Sequence, residues 1–455
     1  MTVAGRLDPL PVGRFHRRLL LLSGLGWLFD SMDTGLVSFA LARLKGEWSL
    51  SGDQVALAGS VGLLGMLVGG AYGGRLADRY GRKAVFQWTL LLFSLSTGLC
   101  AFAWNFESLL VLRFLVGVGL GGELPVAAAL VSEFAPAAQR GRLVVLLESF
   151  WAFGWAAAAI VADLLARSAQ ARGAPYPWRV AFLVGALPAL YVFVLRRALP
   201  ESPRYLMARG RGAEAEAIVR QVEAESGRPH GAPLAPEPPA PAARLGDLFA
   251  AGLRRRTTVL WALWFAMAFS YYGMFIWLPT LLVGRGFGEV QSFSFTLWIT
   301  LAQIPGYFAA AWLVERIGRR ATLAPFMILC AVASWCFGQA GSSLALLLWG
   351  CLVSFFNLGA WGVTYGYTPE LYPTRLRGTG TGSAAAFGRF GGVLAPLAVG
   401  RLLVMAGGGA GGPGGADAGF AAVFTLFAAV LVAGALAVAL FGEETRGRTL
   451  EQISA

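Results

Sequence analysis

Residues 77–83 read ADRYGRK and residues 314–320 read VERIGRR: an acid, an arginine, a larger side chain, a glycine and two bases, twice over. The acids Asp78 and Glu315 stand 237 residues apart (315 − 78). A second pair of stretches keeps that interval. EFAPAAQRG begins at Glu133 and ELYPTRLRG at Glu370 (370 − 133 = 237), with Pro136 matched by Pro373 and Arg140 by Arg377. Two independent strings repeating at one offset mark a chain built from two related halves that run in the same direction.

Around these loops the sequence is apolar for about 20 residues at a time, the length at which a helix crosses a bilayer. Windows of that length place helices over 19–41, 54–76, 84–104, 108–131, 142–165, 179–198, 257–283, 290–314, 321–340, 344–368, 379–404 and 418–441. The composition agrees: 56% of residues are apolar and 14% charged, against about 25% charged in a soluble domain. Such a chain can coat a lipid-facing surface but not a water-facing one. The expected fold is an all-α membrane protein of twelve transmembrane helices in two six-helix bundles. Its units are an N-terminal bundle over 1–199, a linker with a short helix over 200–256, and a C-terminal bundle with its tail over 257–455. Spans one, four, five, seven, ten and eleven carry polar residues and are expected to line an interior. Spans three, six, nine and twelve are nearly pure Leu, Ala, Val and Phe and are expected to face lipid.

Loop charge sets the orientation. Arg6, Arg14, Arg17 and Arg18 precede the first span, and Arg75, Arg79, Arg82 and Lys83 follow the second. Arg140 and Arg142, then Arg316, Arg319 and Arg320, then Arg375 and Arg377, and finally Arg446 and Arg448 mark the matching ends of later spans. By the positive-inside rule these ends, both termini and the linker are cytoplasmic. Arg167, Arg172 and Arg179 break the pattern. The formal charge of +12 thus reads as topology control, and no nucleic-acid partner is expected. No cleavable leader is evident, and the Gly-rich run 407–415 reads as an external connection. Cys100, Cys330, Cys336 and Cys351 lack metal-ligand spacing, and no nucleophile–base pair or nucleotide loop appears. Neither an enzyme nor a cofactor or metal is expected. A lipid bilayer, a small-molecule substrate and protons are the expected partners, and the expected unit is a monomer.

These strings also carry resemblances. GRLADRYGRK from Gly74 to Lys83 resembles the signature loop of the major facilitator superfamily. RFLVGVGLGG (113–122), PESPRYL after the sixth span and EETRGRTLE (443–451) are similar to its sugar-porter-like branch. FDSMDTG on span one, GGELPVAAALVSE on span four, LLESFWAFGW on span five and SYYGMFIWLP on span seven look like the niacin-permease group, near the organic-ion and synaptic-vesicle-type members. The resemblance implies proton-coupled uptake of nicotinate. A symporter of another aromatic acid, an organic ion or a sugar, or a non-transporting sensor on the same bundle, stands as the alternative.

Ionisable residues within spans are costly and point to function. Asp30 and Asp33 share one face of span one, three residues apart. Span four runs the other way, which brings Arg113 to the depth of Asp33. A guanidinium there favours the ionised carboxylate, and its withdrawal would let the acid take a proton. No histidine lies in a span (His16 and His230 are outside), so proton coupling is assigned to Asp30, Asp33, Arg113, Glu123 and Glu148. Glu123 precedes Pro125 in GGELP, where the proline bends span four. Arg389 is the midplane cation of the second half, with Tyr271, Tyr272, Trp277, Gln303, Asn357, Trp361 and Tyr365 at nearby depths and Trp151 on span five. One cation among aromatic faces suits a small planar carboxylate. A cytoplasmic gate is expected from Asp78 with Arg82 or a helix N-terminus, Glu133 with Arg140, and Glu370 with Arg377, with Glu315 and Arg319 in the repeated loop.

Overall fold

In the computed structural model, residues 1–228, 231–235, 244–250, 252–373, 376–407 and 413–446 are described, and helix is the sole regular structure among them. His230, Arg375, Arg448, the tail beyond Arg446 and most of the Gly-rich run lie outside the described residues, as does the side chain of Pro125. The helices of the first half are α1 (Val3–Leu7), α2 (Arg14–Glu47), α3 (Gly52–Tyr80), α4 (Arg82–Cys100), α5 (Phe106–Phe134), α6 (Arg140–Ala171), α7 (Trp178–Gly185) and α8 (Pro188–Ala198). Two short helices follow, α9 (Pro203–Ala208) and α10 (Gly212–Glu225). The second half holds α11 (Arg254–Gly284), α12 (Glu289–Leu301), α13 (Gln303–Ile317), α14 (Arg319–Gly338), α15 (Ser343–Glu370), α16 (Arg377–Gly407) and α17 (Pro413–Phe441).

A helix stands at each expected apolar run, and the helix ends repeat the sequence offset. α3 ends at Tyr80 and α13 at Ile317, α4 opens at Arg82 and α14 at Arg319, α6 opens at Arg140 and α16 at Arg377, each 237 residues apart. Among the described residues, ten stretches are long and apolar enough to cross a membrane. α2, with Asp30 and Asp33, and α4, which opens on Arg82 and Lys83, are not among them. Two expected helices are interrupted where a proline leaves a carbonyl without its donor. Pro188 opens α8 after the end of α7, and Pro305 lies just beyond the break at Ala302 between α12 and α13.

Packing follows residue size. α3 and α5 lie backbone to backbone because glycines face each other. A Cβ at Gly69 would fall 2.0 Å from the Val118 carbonyl oxygen, and one at Gly117 would fall 2.0 Å from that of Gly62. GVGLGG is thus a contact surface for a neighbouring helix. α2 packs on α6 and α4 on α5 in the first half; α11 packs on α16 and α14 on α15 and α17 in the second. The halves meet where α3 lies on α16, α2 on α11 and α6 on α12. Large apolar side chains point outward from α4 (Trp88, Leu95), α8 (Leu190, Phe193), α14 (Val332, Trp335) and α17 (Leu436, Leu440).

The N-terminal segment is pinned to α10. Arg6 is buried between two carboxylates, with Nη2 2.6 Å from Glu223 Oε2 and Nη1 2.7 Å from Glu216 Oε1. At the end of the bundle remote from the ADRYGRK loop, polar contacts cross between halves. Ser294 Oγ donates to Asp163 Oδ1 at 2.5 Å, Arg43 lies 3.6 Å from Glu289, and Arg401 lies 3.5 Å from Asp53. Two of the exceptional loop arginines are matched there by acids, Arg167 by Asp163 at 2.7 Å and Arg179 by Glu47 at 3.6 Å, while Arg172 donates to Ser168 Oγ at 3.3 Å.

Candidate functional site

Where α2, α4 and α5 meet, Arg113 Nη1 donates to Asp33 Oδ2 at 2.9 Å and Thr97 Oγ1 donates to Asp33 Oδ1 at 2.5 Å. Both charged side chains are almost wholly buried. Gly62 on α3 borders the guanidinium, where a Cβ would stand in ordinary contact, 3.6 Å from Arg113 Nη2. A charge taken out of water persists only when paired and hydrogen-bonded, which this arrangement supplies from three helices.

One turn along α2, Asp30 faces Glu123 of α5, and both are fully buried. None of their four carboxylate oxygens has a donor among the described residues. Ionised carboxylates are acceptors only, and a proton held between the two would supply the missing donor. Gly26 makes space for this pair: a Cβ there would lie 2.4 Å from Glu123 Oε1.

A cavity of about 30 Å³ lies between the halves, walled by Trp27, Glu148, Trp151, Tyr271, Tyr272, Tyr307, Leu358, Trp361 and Tyr365. That is room for water and too little for an aromatic ring. Trp151 Nε1 donates to the Tyr271 hydroxyl at 2.7 Å, a bond that links α6 to α11 across the halves. Trp151 also meets Tyr272 edge-on, with centroids 6.4 Å apart, and Trp361 meets Tyr365 at 5.6 Å. Glu148 lies beside Trp27 and Tyr365 and within electrostatic reach of Arg389. The indole nitrogens of Trp27 and Trp361 are buried without a partner among the described residues. Arg389 on α16 is half-buried, passes close to Gly70 of α3, and forms neither an ion pair nor a hydrogen bond among the described residues.

Of the sequence candidates, Trp151, Glu148, Tyr271, Tyr272, Trp361 and Tyr365 come together on this wall. Trp277, Gln303 and Asn357 are buried outside it: Asn357 Nδ2 donates to Ser270 Oγ at 3.2 Å, and Gln303 lies near the Tyr271 hydroxyl. Trp27 and Tyr307 belong to the wall and were not singled out from sequence. The available signal was spacing, since Trp27 lies one turn before Asp30 and Tyr307 one turn after Gln303. No group of three His, Cys, Asp or Glu residues able to hold a metal ion occurs among the described residues.

At the ADRYGRK end the expected pairs are partly re-partnered. Arg82 bonds Asp78 at 2.9 Å and also Glu133 at 3.2 Å. Glu133 therefore does not pair with Arg140, which instead reaches Asp8 at 2.6 Å and the carbonyl of Ser132. Arg319 bonds Glu370 at 3.0 Å, while Glu315 is exposed and Arg377 donates to the Pro369 carbonyl at 3.0 Å. The missing partners come from PESPR and EETRG. Glu201 accepts the backbone N–H groups of Arg82 and Lys83 at the start of α4, and Glu444 accepts those of Arg319 and Ala321 at the start of α14. A carboxylate at a helix N-terminus meets unpaired donors and the positive end of the dipole. Gly81 and Gly318 sit between, at φ 99° and 105°. A Cβ would fall 2.2 Å from Glu201 at the first and 2.6 Å from Glu444 at the second. Ser202 and Thr445 complete the symmetry by donating to Glu133 and Glu370.

Residues 33–455 match the family model described as Sugar (and other) transporter. The chain is 47% identical to the niacin transporter NiaP of Acinetobacter baylyi over the full length of both. It is 43% identical to the putative niacin/nicotinamide transporter NiaP of Bacillus subtilis, covering 96% of this chain and 98% of that one. The synaptic vesicle 2-related protein of Rattus norvegicus is 30% identical, over 99% of this chain and 82% of its own. Among solved structures, the partially occluded inward-open xylose transporter XylE from E. coli superposes with a TM-score of 0.76 at 20% identity, over 96% of this chain and 99% of that one.

Proposed function

The chain belongs to the Sugar (and other) transporter family of the major facilitator superfamily, and from that premise we propose that it carries a small aromatic carboxylate, nicotinate foremost, inward with a proton by alternating access. It is a multi-pass membrane transporter, which suits a bacterial inner membrane. The observation that carries the substrate reading is Arg389: a guanidinium at membrane depth, beside an aromatic-walled cavity, with no protein carboxylate bound to it among the described residues. A substrate carboxylate is the partner such a group lacks, and the rings supply faces for a planar molecule. The names of the two bacterial relatives support the same choice.

All twelve helical runs span the bilayer, α2 and α4 included, with both termini cytoplasmic. Bundles over 1–199 and 257–455 rock about the cavity, joined by 200–256. Asp33 with Arg113 and Asp30 with Glu123 exchange protons as the bundles move, and the clusters around Glu133 and Glu370 stiffen the cytoplasmic face. The contacts of Asp163, Arg43 and Asp53 hold the outer face shut in this state. Each chain has its own cavity, so a monomer suffices.

The test is uptake of labelled nicotinate into proteoliposomes, with benzoate, nicotinamide and a hexose as competitors, with and without a pH gradient. Nicotinate should accumulate only when the gradient is present, and Arg389→Ala should raise its KM by about tenfold or more, as loss of a charge-assisted bidentate contact requires. Accumulation of the hexose but not nicotinate refutes the reading.

A further inference from the structure

Glu148 is the one acidic side chain on the cavity wall, is 3% exposed, and makes no ion pair among the described residues. The charged and titratable groups that face it are Arg389 from α16, Tyr271 and Tyr272 from α11, Tyr307 from α13 and Tyr365 from α15, with Asp30 of α2 beyond Tyr272. Most of these are neutral phenols, and Arg389 acts on it through space without a hydrogen bond. An ionised carboxylate sealed among rings is costly, whereas a carboxylic acid there is a neutral hydrogen-bond donor. The wall carries further donors: the Trp27 indole and the Tyr365 hydroxyl lie beside Glu148, and the Trp361 indole nitrogen is buried without a hydrogen-bond partner among the described residues. Donors at separate positions on the wall suit a ligand with acceptors at more than one position on its ring.

We propose that Glu148 reads the ring nitrogen of a heteroaromatic carboxylate, donating a hydrogen bond from its carboxylic acid to that nitrogen while Arg389 holds the carboxylate. This rests on the substrate class given above and extends it. Glu148 then joins Asp33 and the Asp30–Glu123 pair in the proton exchange, and the transported proton reaches the group that recognises the substrate. It enters from the outer side onto Glu148, is shared with the ring nitrogen while the cavity is closed, and leaves inward with the substrate. One anion and one proton cross together, and no bond of the substrate changes. Benzoate has the ring and the carboxylate but no acceptor for Glu148, so its binding leaves the buried acid unsatisfied, the kind of mismatch that a polar site rejects strongly.

Competition against labelled nicotinate in proteoliposomes tests this directly. In the unsubstituted protein, benzoate should compete at least about tenfold more weakly than unlabelled nicotinate. Glu148→Gln keeps a donor but no transferable proton: it should preserve the preference over benzoate and lose pH-driven accumulation. Glu148→Ala should bring benzoate to within about threefold of nicotinate by removing the donor. If nicotinate is transported and benzoate competes equally, Glu148 does not read the nitrogen, yet the substrate class survives. If nicotinate is not carried at all, the substrate class fails first. Should either variant be poorly folded, the comparison in the unsubstituted protein still decides.

Discussion

The Asp33→Asn substitution puts the buried ion pair to a quantitative test. Asp33 accepts from Thr97 on one oxygen and from Arg113 on the other, and both charged partners are shielded from water. Asn retains a single acceptor. Its amide group must point a donor at either Thr97 or Arg113, and the guanidinium loses its counter-charge. Removing one member of a buried pair costs about 3–5 kcal/mol, mostly the penalty of the charge left behind. Replacing both members by uncharged side chains of similar size costs far less. Unfolding of purified protein in detergent should therefore show large losses for Asp33→Asn and Arg113→Met singly, and a double variant less impaired than Asp33→Asn alone. In proteoliposomes, Asp33→Asn should lower pH-driven accumulation at least about tenfold while lowering substrate exchange less, because exchange needs no net proton movement. Single losses below about 1 kcal/mol, or a double loss equal to the sum of the singles, would refute the buried ion pair. Normal proton-driven accumulation by the Asn variant would remove Asp33 from the coupling.

Gly69→Ala should destabilise by about 1–3 kcal/mol through overpacking, because its Cβ meets the Val118 carbonyl and neither backbone can yield; thermal unfolding in detergent measures it. Gly81→Ala and Gly318→Ala should each cost about 1–3 kcal/mol, since each forces a side chain into positive φ and against a capping glutamate. Alanine at Gly74, where nothing lies within 4 Å, should be tolerated and serves as the comparison. Docking of the N-terminal segment on α10 should depend on acid. Burial disfavours the Glu216 charge, but Arg6, the Leu234 N–H and Arg220 outweigh it and hold its carboxyl down at about 2. Its contribution is thus complete above the ordinary carboxylate value of about 4.3 and is lost as pH falls toward 2. Hydrogen exchange over residues 3–7 should stay slow at neutral pH and quicken over that interval, and Arg6→Ala should quicken it at neutral pH.

What could be read from the sequence was whatever did not depend on rotation about a helix axis. The repeat offset, the apolar lengths and the depth of Asp33 and Arg113 are properties of position along the chain, and the helix ends and the 2.9 Å pair follow from them. Rotational phase was harder. α11 is apolar nearly all round, so the sequence does not separate Tyr271 and Tyr272 from Trp277, more than a turn further along, yet only the tyrosines reach the cavity. Tyr307 and Trp27 were missed for the same reason. Among the loop partners Asp78 does meet Arg82, but Glu133 bonds Arg82 and not Arg140, because the nearest charge in sequence is not always the nearest in space. Glu201 and Glu444 lie far along the chain and fold back onto helix starts opened by Gly81 and Gly318. The expected spans over 290–314 and 179–198 hid two breaks, since a proline in an apolar run marks a freed carbonyl without saying whether the helix bends or stops.

The indole-to-phenol bond between Trp151 and Tyr271, with Trp27 and Trp361 on the same wall, turns the transport site into an intrinsic optical probe. A ring that enters the slot must separate Trp151 from Tyr271 and change the polarity around three indoles at once. Tryptophan emission should therefore shift with each occupancy event and allow stopped-flow tracking of loading and release without any attached dye.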